Sequence, residues 1–312
     1  MRGPFPFPVR TPVAWVNVRE PDANGGRMQG RTVRRVSLVL AAATALTGVA
    51  ACTSPDSSDG PGKDDRAAHG RSVEALRSAE RATRRAASAR VESTTTMGSL
   101  MSMTADGILG WSDGITGTLT ITCTGGTLAD TMRRLGSTSM EARYLPDAYY
   151  ARMGEKFAEQ TGGKHWIRYA YEDLEALAGG SGAHLGDQMR TTTPNQSVKL
   201  LLASGDVRKV GEESVRGRPA THYSGTVAAA DVTDAALKKQ LTEAGVTTET
   251  VDIWIDERNL LVKKVEKARM TTGQMTQTAH YGDYGVRVRA QRPPSSDTGD
   301  FEDLMRKRAG TS

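Results

Sequence analysis

The sequence is poor in aromatic residues, in cysteine and in long apolar runs. Aromatic residues make up 5% of the 312 residues and only two residues are cysteine. No apolar run reaches the roughly 18 residues that a transmembrane helix requires, which excludes a protein that crosses the membrane several times. Charged residues make up 25% of the chain, an ordinary share for a globular protein, so a disordered chain is not expected either.

The body of the chain also lacks an excess of positive charge. Residues 1–51 contain seven arginines and two acidic residues. Subtracting these from the totals of 41 basic and 36 acidic residues leaves 34 of each in the rest of the chain. A nucleic-acid-binding body would need clustered basic residues, so nucleic acid is excluded as a partner.

What the chain does contain is a secretory signal over residues 28–51. Three arginines precede a short run of apolar and small residues, which is the order of a signal peptide. The run ends in Val49-Ala50-Ala51-Cys52, which is similar to a bacterial lipobox. That resemblance implies cleavage between Ala51 and Cys52, with diacylglycerol and acyl chains on the Cys52 thiol as the covalent anchor. The alternative is a secreted protein in which Cys52 follows an ordinary cleavage site by chance.

Two segments flank this signal. Residues 1–27 fit no part of it, and we interpret them as an extension from a misassigned start codon, the true start being Met28. Residues 52–70 are rich in Ser, Asp, Gly and Pro and predict a flexible tether. The other cysteine, Cys123, lies in an alternating segment and predicts a buried thiol in a strand rather than a reactive one.

Residues 71–295 predict one domain, followed by a polar tail over residues 296–312 in which residues 300–307 suggest a short final helix. A helix is expected over 72–91 and two more over 195–204 and 231–244, the last with Asp231 as N-cap. The remaining segments alternate with a period of two and are separated by turn residues, which predicts short antiparallel strands. The expected fold class is α+β, with a large antiparallel sheet and helices on one face.

The layout resembles the LolA-like superfamily of lipoprotein carriers, and more closely the LppX/LprG-type lipoproteins of actinobacteria. The motifs are the lipobox with its tether, an Ala-rich first helix that leads into Thr-rich strands, VGEESVRGRPATHY at 210–223, and VDIWID at 251–256 followed by LVKK at 261–264. The resemblance covers residues 72–295. It implies a sheet curved into a half-barrel whose helices enclose an apolar cavity for acyl chains or a lipidated partner.

Candidate residues for such a cavity come from the first Thr-rich and Met-rich strands. Flexible methionine side chains suit irregular apolar ligands, although the same residues also fit an ordinary core. The candidates are Leu100, Met101, Met103, Ile108, Leu109 and Trp111.

Motifs for catalysis are missing. There is no Gly-x-Ser-x-Gly elbow, P-loop or His-Glu-x-x-His, and the five histidines have no metal-ligand spacing, so we predict neither an enzyme nor a metal site. The leading hypothesis is a monomeric lipoprotein, anchored on the extracytoplasmic face of the cell membrane, that binds a lipid or a lipidated ligand. The alternative is an envelope sensor or scaffold that binds a protein partner and has no ligand cavity.

Overall fold

The computed structural model describes residues 63–173, 193–271 and 273–309. The described residues form a sheet of twelve strands with helices packed on one face, which confirms the predicted α+β class with a large antiparallel sheet. Residues 1–27, the signal at 28–51 and Cys52 lie outside the described residues. None of the helices in the described ranges has the length and apolar character that crossing a bilayer requires.

The helices and strands follow the chain in a mixed order. Helices α1 to α6 span Lys63–Ala86, Gly126–Arg134, Glu155–Gln160, Pro194–Leu202, Ala235–Glu243 and Phe301–Ala309. Strands β1 to β12 span Ser88–Met97, Met101–Gly110, Thr116–Gly125, Ser139–Tyr144, Ala148–Arg152, Trp166–Ala170, Arg208–Val215, Arg218–Ala228, Val246–Asp256, Leu261–Met270, Gly273–Gly282 and Thr298–Asp300.

The strand order is β12-β6-β5-β4-β3-β2-β1-β11-β10-β9-β8-β7. Every neighbouring pair is antiparallel except β12 and β6, which are parallel. Most neighbouring strands are consecutive in the chain and are joined either by short turns or by connections that contain α2, α3 or α5. Strand β1 pairs with both β2 and β11, so it joins a half made of β2–β6 to a half made of β7–β11.

Each half has its own core on the face that carries the helices, which we call the helix face. The first core packs α1, α4 and α5 on β8–β11 and includes Leu76, Leu201 and Ile253, none of which is exposed. The second core packs α2, α3 and α6 on β3–β6 and includes Met132 and Phe301. The opposite face, called the outer face, carries many threonines. They occupy the alternate strand positions, whose side chains point away from the helices.

The first helix differs from the prediction at both ends. It begins at Lys63, inside the segment 52–70 that was predicted as a tether, and ends at Ala86 instead of residue 91. Its first turns are held by tertiary contact, since His69 Nδ1 lies 3.1 Å from the carbonyl oxygen of Val207. Ala87 has a φ of 63°, which ends the helix and starts β1 one residue later.

At the end of the chain, the short helix expected at 300–307 is present as α6, whereas the domain boundary expected at residue 295 differs from the structure. Strand β12 pairs with β6 within the segment 296–312 that was expected to be a polar tail, and α6 buries Phe301 in the second core. The domain therefore continues at least to residue 309. A smaller correction concerns α5, where Asp234 and not Asp231 is the N-cap, because its carboxylate accepts a hydrogen bond from the Leu237 amide at 2.9 Å.

Candidate functional site

A cavity of about 310 Å³ lies on the helix face, where the two cores meet. Its floor is formed by residues of strands β10, β11, β1, β2, β3 and β4, and the start of α4 lies at its wall. Helix α4 begins there because Pro194 occupies its first turn, where a missing amide hydrogen costs nothing. The lining residues are Val91, Ser93, Leu109, Ile115, Leu119, Tyr144, Thr193, Pro194, Lys264, Gln277, Ala279 and Tyr281.

Strand register determines which side chains reach the cavity. Ser93 on β1 lies opposite Ala105 on β2 and Ala279 on β11, and these three positions point to the helix face. Their chain neighbours, such as Thr94, point to the outer face. The small side chains at the middle of the floor leave the space that larger residues would fill.

The two ends of the cavity differ in chemistry. Lys264 and Gln277 mark the end at β10 and β11, whereas Leu109 and Leu119 mark the end at β2 and β3. The strands that carry Lys264 and Leu119 lie four steps apart in the sheet. At about 4.8 Å for each step, the path across the strands is about 19 Å. The cavity therefore has a polar end and an apolar end.

Three charged residues are buried at the polar end. Lys264, Glu266 and Glu249 are 5%, 8% and 6% exposed. The Lys264 ammonium donates hydrogen bonds to Glu266 Oε2 at 2.7 Å and to Ser197 Oγ at 3.0 Å. The partner serine comes from α4, so this ion pair connects the sheet to the helix that forms the cavity wall.

Burial changes the protonation of this group. Burial in apolar surroundings, followed by the nearby Glu266 carboxylate, raises the pKa of Glu249 to about 8. For Lys264, burial lowers the pKa, but the Glu266 carboxylate more than offsets this and the pKa lies above its usual value. At neutral pH Lys264 is therefore charged and Glu249 is mostly protonated.

The predicted cavity residues are distributed over several environments. Leu109 lines the cavity and packs against both cores. Met103 packs against the second core, and Met101 is half-buried on the same face. Leu100 is 50% exposed in the β1–β2 turn.

The other two candidates lie away from the cavity. Ile108 is paired with Arg90 and Thr118 and so points to the outer face. Trp111 is buried against Ala89 and Ile115 and donates a hydrogen bond from Nε1 to a backbone oxygen of α1. Of the six candidates, the structure thus brings Leu109 to the cavity wall.

A second ionic cluster lies on the outer face. His222 has Nδ1 3.0 Å from Glu213 Oε1 and Nε2 2.9 Å from Asp252 Oδ1, and its ring stacks on Trp254. Trp254 in turn donates a hydrogen bond to Glu213 at 2.9 Å. These contacts join β7, β8 and β9, so the cluster holds the edge of the sheet together. His222 and Tyr223 are neighbours on β8 and point to opposite faces, since Tyr223 is buried in the first core.

Within the described part of the chain, one acidic group has ligand atoms close enough to consider a metal. Asp173, Asp300 and Glu302 place their oxygens within 4.8 Å of one another. Arg168 already donates a hydrogen bond to Asp300 at 2.8 Å, so a guanidinium supplies positive charge at this position. The contact stabilises the parallel pairing of β12 with β6.

Buried Cys123 fits its prediction as a structural thiol. It is 4% exposed on β3, and burial raises its pKa, which keeps the thiol protonated. The sequence analysis did not single out the polar residues at or beside the cavity, which are Lys264, Glu266, Glu249, Ser197 and Gln277.

No protein-family model matches the chain. A Streptomyces coelicolor protein named "Putative lipoprotein SCO4650" is 57% identical over 296 residues, which is 89% of this chain and 98% of that protein. Among solved structures, the Mycobacterium tuberculosis lipoprotein LppX is similar with a TM-score of 0.46 at 15% identity, over 71% of this chain and 99% of LppX. LprF from Mycobacterium bovis has the same TM-score and identity, over 72% of this chain and 98% of LprF. Because the identity to the Streptomyces protein extends over nearly its whole length, the chain belongs to the same family of actinobacterial lipoproteins.

Proposed function

We propose that this protein is a lipoprotein, anchored on the extracytoplasmic face of the cell membrane, that binds a lipid-type ligand in the cavity on the helix face. The observation that carries the proposal is this concave pocket with its mainly apolar lining, because small-molecule sites are concave and mostly apolar with a few polar groups. Its volume of about 310 Å³ lies at the lower end of the range of small-molecule sites. With Leu109 and Leu119 in its wall, it suits an apolar chain.

The proposed anchor is Cys52. The signal over residues 28–51, the small residues up to Ala51 and the lipoprotein name of the Streptomyces relative support it. Each buried methylene of an acyl chain contributes about 0.8 kcal/mol, and a single chain binds a membrane only marginally, so stable anchoring needs the several chains that a lipobox cysteine carries.

The anchor is tested by replacing Cys52 with serine in the full chain and fractionating the cells. Wild-type protein is expected in the membrane fraction and the Cys52→Ser variant in the soluble fraction. Serine at Cys52 cannot form the thioether, yet differs from cysteine by a single atom. Retention of the variant in the membrane would refute lipid anchoring at this residue.

The ligand is tested on the full chain carrying Cys52→Ser, produced in an actinobacterial host and purified without detergent. Organic extraction followed by mass spectrometry is expected to yield a stoichiometric lipid. Adding Ser93→Phe fills the cavity floor and is expected to abolish the lipid, whereas the control Thr94→Phe, on the outer face one residue later, is expected to retain it. Equal lipid in both variants would place the ligand elsewhere.

The cavity also separates this proposal from the sensor or scaffold alternative. A scaffold that binds only a protein partner has no use for an unfilled space between its cores. If no lipid is extracted from the wild-type body, and Ser93→Phe raises the melting temperature without other effect, the cavity is a packing defect and the scaffold interpretation is favoured.

A further inference from the structure

The buried Lys264–Glu266 pair is a feature that folding does not require. Removing two charges from water costs several kcal/mol per ion, and replacing a buried pair with apolar residues is often neutral or stabilising. Both residues lie on β10, flanked by strands that supply apolar side chains such as Ile253 and Val251 to the first core. The pair therefore points to a role at the cavity, where Lys264 forms part of the wall.

The polar end offers one donor and one acceptor to a ligand. Lys264 uses two of its three N–H groups, on Glu266 and on Ser197, which leaves one for an occupant of the cavity. Gln277 donates through Nε2 to Thr95 at 3.2 Å, while among the described residues nothing donates to its amide oxygen. A head group that both accepts and donates hydrogen bonds fits this arrangement.

Charge selects between head groups. The Lys264 ammonium is already neutralised by Glu266 at 2.7 Å, so the polar end carries no spare positive charge. A carboxylate ligand would add a second negative charge beside Glu266 in a site screened from water, which is costly. An ester carbonyl or a hydroxyl could accept the remaining Lys264 hydrogen bond without that cost.

The lining residues set the direction of an acyl chain. The chain would extend from Lys264 across β11 and β1 toward Leu109 and Leu119.

We propose that the cavity selects a neutral amphiphile, of the class of fatty-acid esters with free hydroxyls, over the corresponding fatty acid, and that Lys264 donates a hydrogen bond to its head group. This inference rests on the proposed function, since it names the ligand class of the same cavity. It assigns a specificity role to Lys264 that its place in the sequence does not suggest.

The test uses the full chain carrying Cys52→Ser, stripped of lipid, and measures binding of glycerol monolaurate and of lauric acid by calorimetry below their micellar concentrations. Glycerol monolaurate is expected to bind at least tenfold more tightly than laurate at pH 7.5. Lys264→Met is expected to weaken monolaurate binding about tenfold and to abolish the preference. Lys263→Met is the matched control, because Lys263 lies one residue earlier, over Trp254 on the outer face.

Removing Lys264 alone leaves Glu266 buried without its partner and could unfold the protein. The double variant Lys264→Met/Glu266→Leu removes both charges together, and it is expected to fold and to bind both ligands with equal affinity. Binding of laurate as tight as monolaurate by the parent protein, or an unchanged preference in the double variant, would overturn the inference while leaving lipid binding intact. If neither ligand binds and no lipid is extracted, the proposed function itself fails.

Discussion

Replacing Glu249 should change how the free energy of unfolding depends on pH. It is 6% exposed on β9, and burial and the neighbouring Glu266 raise its pKa from 4.5 to about 8. The Glu249 carboxyl binds its proton more tightly in the folded state than in the unfolded chain. The stability that this proton contributes is therefore fully present below about pH 4.5. That contribution is lost as the pH rises through about 8. Wild-type protein should thus become less stable across the neutral range.

The magnitude follows from the size of the shift. A difference of about 3.5 pH units at about 1.4 kcal/mol per unit gives a full span of about 5 kcal/mol. Between pH 5.5 and 7.5 the expected loss is about 3 kcal/mol, a large part of the 5–15 kcal/mol that stabilises a typical domain. Glu249→Gln keeps the shape of the side chain and cannot ionise, so it should not show this loss.

Urea unfolding of both proteins at several pH values measures the effect. The free energy of unfolding of Glu249→Gln minus that of the parent is expected to rise by about 1.3 kcal/mol per pH unit between pH 5.5 and 7, and less steeply as the pH approaches 8. Taking the difference cancels the titration of all other groups. Glu257→Gln, in the exposed turn after β9, is the control and should give a constant difference. A constant difference for Glu249→Gln as well would show that this carboxyl is ionised in the folded protein and refute the reasoning.

Three further changes test the fold. Ile253→Ala, at a fully buried position, should lower the free energy of unfolding by about 2–5 kcal/mol, whereas Leu100→Ala, at a half-exposed one, should change it little; denaturant titration checks both. Hydrogen bonds to two carboxylates raise the pKa of His165, so an NMR titration should find it above 6.5, and Asp297→Asn should bring it down. Stability from this contact is present below pH 6.5 and lost as the pH rises through the folded-state pKa. Asp234→Ala removes the cap of α5 and should cost about 1 kcal/mol by the same denaturant assay.

The strands were the most predictable part of the fold because each carries its own signal. The segment Ser139–Tyr144, the Pro146-Asp147 turn and Ala148–Arg152 form the hairpin that the alternation and the turn residues indicate. Such pairing depends on residues close in sequence. The position of β1 between β2 and β11 depends on contacts nearly 200 residues apart, and no local pattern contains that information.

Short helices were missed where packing overrides local preference. Helix α2, Gly126–Arg134, begins with Gly126 at a φ of 78° directly after β3, and its glycine and threonines are poor helix formers. It forms because Ala129 and Met132 are buried in the second core. The first turns of α1 follow the same rule, since the contact of His69 with Val207 holds them.

The polar end of the cavity shows why the residues that line a cavity are harder to predict than the sheet around it. Along β10 the inward residues include Lys264 and Glu266, and the outward residues include Lys263 and Lys267, so both faces carry charges and alternation cannot identify the buried one. Burial of Lys264 is decided by α4, whose Ser197 accepts its hydrogen bond from 67 residues away in the chain. Hydrophobic candidates such as Leu109 could be proposed from the sequence because apolar residues predict burial. A charged residue predicts the surface, so its place inside becomes visible only once the helix that covers it is in position.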